Sequence, residues 1–428
     1  MDTEEFFRLT ASDLNCNTSY PIRRSIFSVY RSDEDIMKDI HELSLYYHIP
    51  FCRHLCRFCE YTRFLSDNED EQLYYISRLI AQAEEFFRDH PIKKLFGLDI
   101  GGGTPTALAA APFSLLLEHI SHVISAFGHG EAFIPSIEFS FATLDGEKLR
   151  MISESPVQRM STGIQVFDNE LMESMDRRHQ SLIKMERLTD RIKNSNIDIL
   201  NLDIMYGFNE QTEAMMKNTI FALRALQPEQ VTLYEMRYNR NNLPSDSLSR
   251  ESLFRQYEYF YNELTAMGYK ARFGQNTFSM NDDEGVSSYL YSRMFRCAPY
   301  KGFGISAQSM SPKGISYNIF KSSDSIRLPE FDKIIADSSY MLPPVETAAK
   351  YICISLYSGR FDTDILRKIL KCDPFEHYKE EFNFLLKNGY ISMEGNICCL
   401  TRKGFMYYGA VGALFWSGHH KNEYLKLR

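Results

Sequence analysis

The chain has 428 residues, 44% hydrophobic and 24% charged, proportions that suit one large globular domain with a smaller one attached and exclude a disordered or collagen-like architecture. Its 48 Lys and Arg against 56 Asp and Glu leave a net charge of −8, so neither nucleic acid nor an anionic membrane is expected as a partner. The acidic start MDTEEFFRLT lacks the basic-then-apolar pattern of a signal peptide, and no apolar run is long enough to span a membrane, so a cytoplasmic location is expected.

In chain order, residues 1–42 read as an N-terminal extension. From residue 43, short β-branched or aromatic runs alternate with helix-periodic stretches, the pattern of strand-helix units around a parallel sheet. Strands are expected at LSLYYHI, LFGLDI, SIEFSF, RMSTGIQV, DILNLDIMYG and QVTLYEMR, with helices near 69–88, 112–127, 181–195, 211–226 and 248–267. Six units fall short of a complete eight-unit barrel, so the expectation is an α/β fold with a partial (β/α)6 TIM-like barrel over 43–320. Residues 321–428 read as a mainly helical, winged-helix-like domain with a short hairpin. Lys and Arg there are interspersed with Asp and Glu, which favours a lid or packing role over DNA binding.

Of nine cysteines, Cys52, Cys56 and Cys59 crowd into eight residues as C-x3-C-x2-C, directly after a predicted strand. That places them in a loop at the carboxyl end of the sheet, where sites of parallel α/β folds open. Three thiolates on one loop suit three corners of a cubane iron-sulfur cluster, whereas a closed structural zinc site wants four ligands. The alternatives are zinc completed by His48 or His54, and three unrelated core thiols. The other six cysteines share no spacing and read as packing; Cys398 and Cys399 are adjacent in a predicted strand and so face opposite sides.

The cysteine motif, with Phe58 as the aromatic before its last cysteine, resembles that of the radical S-adenosylmethionine (SAM) superfamily. The ordered strings TSYP, LSLYYHIPFC, GGGTPT, SIE, STGIQVF, NLDIMYGF and GFGISAQSM are similar, within it, to the oxygen-independent coproporphyrinogen III oxidase family. That resemblance implies a 4Fe-4S cluster on Cys52, Cys56 and Cys59, whose open iron chelates SAM. It implies reductive cleavage to a 5′-deoxyadenosyl radical, an electron donor such as flavodoxin or ferredoxin, and a monomer. It also implies cofactor contacts from Tyr46, Phe58, Gly102, Gly103, Thr104, Glu138, Gln165, Arg178, Asp203, Arg237 and Gln308, and, since the family holds two SAM molecules in one pocket, a candidate second SAM. Physically, consecutive glycines let backbone approach the SAM amino group, carboxylates accept from ribose hydroxyls or an ammonium, and a guanidinium pairs with a carboxylate.

The chain departs from the oxidase pattern in four places. Tyr61 stands where a further cysteine is expected, FSFATLD replaces an acidic-proline-arginine string, Arg237 replaces a small residue and Gln308 an aliphatic one. These changes leave the substrate open. The leading expectation is a tetrapyrrole whose propionates lose hydrogen from the β-carbon and then carbon dioxide, leaving vinyl groups and an electron for an acceptor. Arg23, Arg24 and Arg31 are candidates to clamp the propionates, or form a solvated basic stretch. The alternatives are a two-SAM methyltransferase, cyclopropanase or haem-opening relative, and a haem carrier without turnover, for which His179, His419 and His420 are the candidate ligands.

Overall fold

In the structure, a computed structural model that describes every residue except 14–15, 179, 239–247, 319–335 and 428, the six expected strands pair as parallel neighbours in chain order. They are β1 (Glu42–Ile49), β2 (Lys94–Gly102), β3 (Ser136–Glu138), β4 (Arg159–Gln165), β5 (Ile199–Tyr206) and β6 (Gln230–Glu235). β1 and β5 are buried over nearly their whole length, as befits strands covered on both faces. Crossovers run through α1 (Glu69–Asp89), α2 (Ala110–Ala126), α3 (Gly146–Ser153), α4 (Asn169–Ser174), α5 (Leu182–Lys193) and α6 (Glu213–Leu226), and α7 (Arg250–Ala266) follows β6. α1 shows why: Asn68 caps it by accepting from the Asp70 and Glu71 N–H groups at 3.0 and 3.2 Å, and Tyr75, Ile76, Leu79, Ala83 and Phe86 bury one face.

Three expectations needed adjustment. SIEFSF is strand only to Glu138, so Phe139 and Phe141 lie in the loop beyond it. The short helices α3 and α4 escaped notice because two turns offer too little periodicity, although Asp145 and Asp168 cap them. The sheet also extends well past six strands. β7 (Thr277–Ser279) adds antiparallel to β6 at one edge. At the other, β8 (Tyr300–Phe303) adds parallel to β1, followed by antiparallel β9 (Gln308–Ser311), β10 (Gly314–Asn318), β11 (Ala336–Met341) and a two-residue strand, Arg31–Ser32. Among the described residues no pairing joins the two edges.

The C-terminal part has the winged-helix-like pattern, a three-stranded sheet of Arg360–Asp362, Ile397–Leu400 and Ile391–Glu394 with helices Thr363–Leu370 and Lys379–Lys387 beside it. The N-terminal helix Thr3–Ala11 packs against this part, with Phe6 edge-on to Trp416 at 6.2 Å and Phe7 on Tyr390 at 4.5 Å. Among the described residues no helix is long and apolar enough to cross a membrane.

Candidate functional site

The carboxyl ends of β1 to β6 open into a chamber of about 710 Å³. Its floor comes from the cysteine loop, the glycine turn after β2, and side chains at the ends of β3, β4 and β5. Its roof comes from Thr18 to Pro21 of the N-terminal extension and from Lys350, Ile354, Tyr357 and Tyr408 of the C-terminal part.

Cys52, Cys56 and Cys59 all line the chamber, and Arg63 holds their loop in shape. Its guanidinium donates to the carbonyls of Cys59 at 2.7 Å, Tyr61 at 3.1 Å and Cys56 at 2.5 Å. Burial pushes the Cys52 thiol up to about 11 and also raises Cys59, with Arg63 opposing both shifts. Arg177 braces the other side. It donates to the Cys56 sulfur at 3.7 Å and to the Gly163 carbonyl, and lies over the Phe58 ring at 6.0 Å. Phe58 packs with Val166, Met172, Met205 and Phe208, which seats the loop on β4 and β5. Arg63 and Arg177 were missed in the sequence, since an arginine gripping carbonyls has no motif.

The glycine turn is tied to the same loop. Gly103 N donates to Ile49 O and Thr104 N to Phe51 O, both at 2.8 Å, and the Thr104 hydroxyl lies 3.7 Å from the Cys52 sulfur. Gly102 adopts φ +116°, and a Cβ there would meet the His48 ring at 2.5 Å; a Cβ on Gly103 would meet Phe51 O at 2.7 Å. His48 Nε2 donates to Thr62 O at 2.9 Å and Nδ1 lies 3.3 Å from the Tyr46 hydroxyl, so both ring nitrogens are engaged, while burial lowers its pKa to about 4. It braces the turn and is not available as a zinc ligand. Among the described residues no three His, Cys, Asp or Glu groups converge on a position for one metal ion.

Glu138 accepts from Gly102 N at 3.0 Å. It opens to the chamber yet is walled in by protein, and this enclosure, reinforced by Asp203 and Asp99, pushes its carboxyl up to about 7. Enclosure likewise raises Asp203 to about 6, against the pull of Arg159 and a 2.8 Å hydrogen bond from Asn201. Gln165 sits at a bulge of β4 with φ +65°, and its buried Oε1 has no partner. A strained residue with an orphaned acceptor, beside a glycine cradle a Cβ would fill, fits a bound polar cofactor.

Most residues expected from the sequence therefore meet in one place, with three qualifications. Tyr46 does not line the chamber but stacks on Tyr289 behind its wall at 5.7 Å. Arg178 lines it as an exposed side chain after α4 rather than directly after a strand. Arg237 sits at the rim, donating to Ser19 Oγ at 2.9 Å and lying 3.8 Å from Glu60. Gln308 faces in, its Oε1 accepting from Tyr300 and, at 3.4 Å, from Arg293. Arg23, Arg24 and Arg31 are not among the chamber's lining residues; Arg24 lies over the outer ring of Tyr317 at 4.7 Å. Of the candidate haem ligands, His419 engages Ile26 O at 2.9 Å and His420 stacks behind the roof residue Tyr20 at 4.3 Å; neither is among the chamber's lining residues. His179 lies outside the described residues.

Comparison with known proteins gives the same picture. The profile of the Radical SAM superfamily matches residues 46–223. The heme chaperone HemW of Lactococcus lactis is 29% identical over 238 residues, 53% of this chain and 59% of that protein. The oxygen-independent coproporphyrinogen III oxidase of Pseudomonas aeruginosa is 26% identical over 292 residues, 63% and 61% of the two. The chain thus spans about three fifths of the length of these curated relatives. The solved structure of coproporphyrinogen III oxidase (HemN) from Escherichia coli shares the fold, with a TM-score of 0.70 at 20% identity over 88% of this chain and 90% of that one. The superfamily's cofactors are a 4Fe-4S cluster and SAM, as the cysteine motif led us to expect. Residues 46–223 thus match the radical SAM superfamily, and the chain is similar to relatives named both oxygen-independent coproporphyrinogen III oxidase and heme chaperone.

Proposed function

We propose that the protein is a radical SAM enzyme in which Cys52, Cys56 and Cys59 hold the 4Fe-4S cluster and that it acts on a propionate-bearing tetrapyrrole, most simply by oxidative decarboxylation of coproporphyrinogen III or a related compound. What carries the reading is the single enclosed chamber into which the cysteine loop, the glycine turn and Glu138, Gln165 and Asp203 all open. When bound, the cofactors supply reductive cleavage of the SAM sulfonium and hydrogen abstraction from the substrate. The chain's residues position and shield. Gly102, Gly103 and Thr104 offer backbone to the amino acid part of SAM, Glu138 accepts from its ammonium, and Gln165 and Asp203 receive polar hydrogens of the nucleoside. Phe58 covers the cluster side, Arg178 meets a carboxylate, and the roof excludes water. The family's pocket holds two SAM molecules, so one or two SAM per chain is to be measured.

A haem carrier is the second reading, supported by the similarity to the heme chaperone relatives. Anaerobic iron-sulfur reconstitution, then mass spectrometry of SAM products with coproporphyrinogen III, with haem and with neither, separates the two. The enzyme reading expects 5′-deoxyadenosine and vinyl products without S-adenosylhomocysteine. SAM cleavage without vinyl products rejects that substrate; S-adenosylhomocysteine points to one-carbon transfer; tight haem binding without SAM cleavage establishes the carrier.

A further inference from the structure

The chamber is also lined by two enclosed cations, Arg293 and Lys350, that form no ion pair among the described residues. Arg293, on α8 (Ser288–Phe295), spends its guanidinium on weak neutral contacts: Tyr289 Oη and Gln308 Oε1 at 3.4 Å each, and the Tyr300 ring, 4.7 Å away. Its Nε is buried without a partner. Lys350, on α9 (Pro344–Ser355), is only 6% exposed and donates to the Tyr20 carbonyl at 2.9 Å. The two helices are docked by a hydrogen bond from Ser355 Oγ to Met294 O at 2.6 Å, which holds both cations against the same cavity. Among the described residues neither forms an ion pair. Glu346, one turn from Lys350, is engaged by Tyr20, Tyr30 and Ser417, and Asp99, which Arg293 feels at longer range, is not among the chamber's lining residues.

Enclosed charge without a counter-charge is costly, and here the two cations also repel each other: burial and Arg293 together lower Lys350 to about 7. An arginine and a lysine kept in this state on a cavity wall are arranged for an anion that arrives. We infer that Arg293 and Lys350, with Gln308 beside them, form a carboxylate-recognising subsite that orients an anionic substrate with its acid group toward the roof and away from the cysteine loop. Phosphate esters fit less well, because a dianion would need more donors than one lysine and a guanidinium already turned toward Tyr289 and Gln308. The inference deepens the proposed function and rests on it for the identity of the substrate, though not for its charge.

The test uses the reconstituted protein and two kinds of probe. Thermal unfolding in sodium propionate against sodium chloride at equal ionic strength reads the subsite without any tetrapyrrole. The wild type is expected to be stabilised by propionate by a few degrees, and Arg293→Gln and Lys350→Met to lose that difference. Affinity for coproporphyrin III against its tetramethyl ester reads the substrate. The acid is expected to bind about tenfold or more tightly than the ester, a preference that each variant reduces while leaving ester affinity in place, which also shows that the variants are folded. Equal stabilisation of wild type and both variants, or no effect of propionate, overturns the subsite, as does an unchanged acid-over-ester preference. If propionate behaves as expected but neither porphyrin binds, the subsite stands and the tetrapyrrole reading falls. If both porphyrins bind and the variants change nothing, the reverse holds.

Discussion

The two ends of the chamber are built in opposite ways. At the floor, Cys52 to Arg63 and Gly101 to Thr104 are contiguous stretches, locked together by backbone hydrogen bonds and by Arg63, and the carboxylates Glu138 and Asp203 are held near neutrality by their enclosure. At the other end, Arg293 and Gln308 of the barrel part share the chamber with Tyr20 and Lys350, which reach it only because the N-terminal extension and the C-terminal helices fold back over the barrel. The lesson is one of dependence. A floor of short motifs can be shared by a whole superfamily, whereas a wall assembled from distant segments depends on how this one chain packs.

The sharpest way to break the comparison is at the floor. Cys56→Ala is expected to abolish cluster retention and SAM cleavage together, measured as iron and sulfide content after reconstitution and as 5′-deoxyadenosine. The fold should survive, because the thiol's hydrogen-bond contact is a weak 3.7 Å approach from Arg177. Retained cluster in that variant would remove the loop from its assigned role.

Gly102→Ala comes next. It places a Cβ at φ +116° against the His48 ring, for a cost of about 2 to 4 kcal/mol in urea unfolding. Gly130→Ala, where a Cβ meets nothing within 4 Å, is the matched control and should be near neutral.

Arg63→Met leaves the three cysteines but removes the donors to three loop carbonyls, so the cluster should assemble and then be lost several-fold faster to a chelator. Unchanged loss would mean the loop is shaped by the iron rather than by the protein.

The smallest effect is in pH. Glu138 titrates at about 7 in the fold against 4.5 when unfolded, so the native state binds the extra proton between those values. Stability of the cluster-free protein should then fall as pH rises from about 4.5 to 7, and Glu138→Gln should flatten that slope in a series of thermal melts, with Asp203 supplying what remains.

Much of the floor was legible because its chemistry is local. Thiols at fixed spacing and consecutive glycines after a strand mean the same thing in any chain, and the five expected helices, with clear periodicity, appear within two residues of their expected bounds. Arg63 and Arg177 were not legible, since they act on backbone carbonyls that any residue offers. The histidines near the C-terminus misled for the converse reason: His420 is packed against Tyr20 and Trp416, and composition cannot distinguish a packed imidazole from a ligand.

By itself the sequence determined the parallel strand order, the cysteine loop and the glycine turn, because periodicity and spacing act over a few residues and need no partner from elsewhere. Only the tertiary structure decided that the sheet continues past six strands, that the two termini close the chamber, and that an unpaired arginine and lysine face it. Pairing of residues as distant as Tyr20 and Lys350 depends on how whole layers pack, and charge compensation is a property of three-dimensional neighbours rather than of chain neighbours.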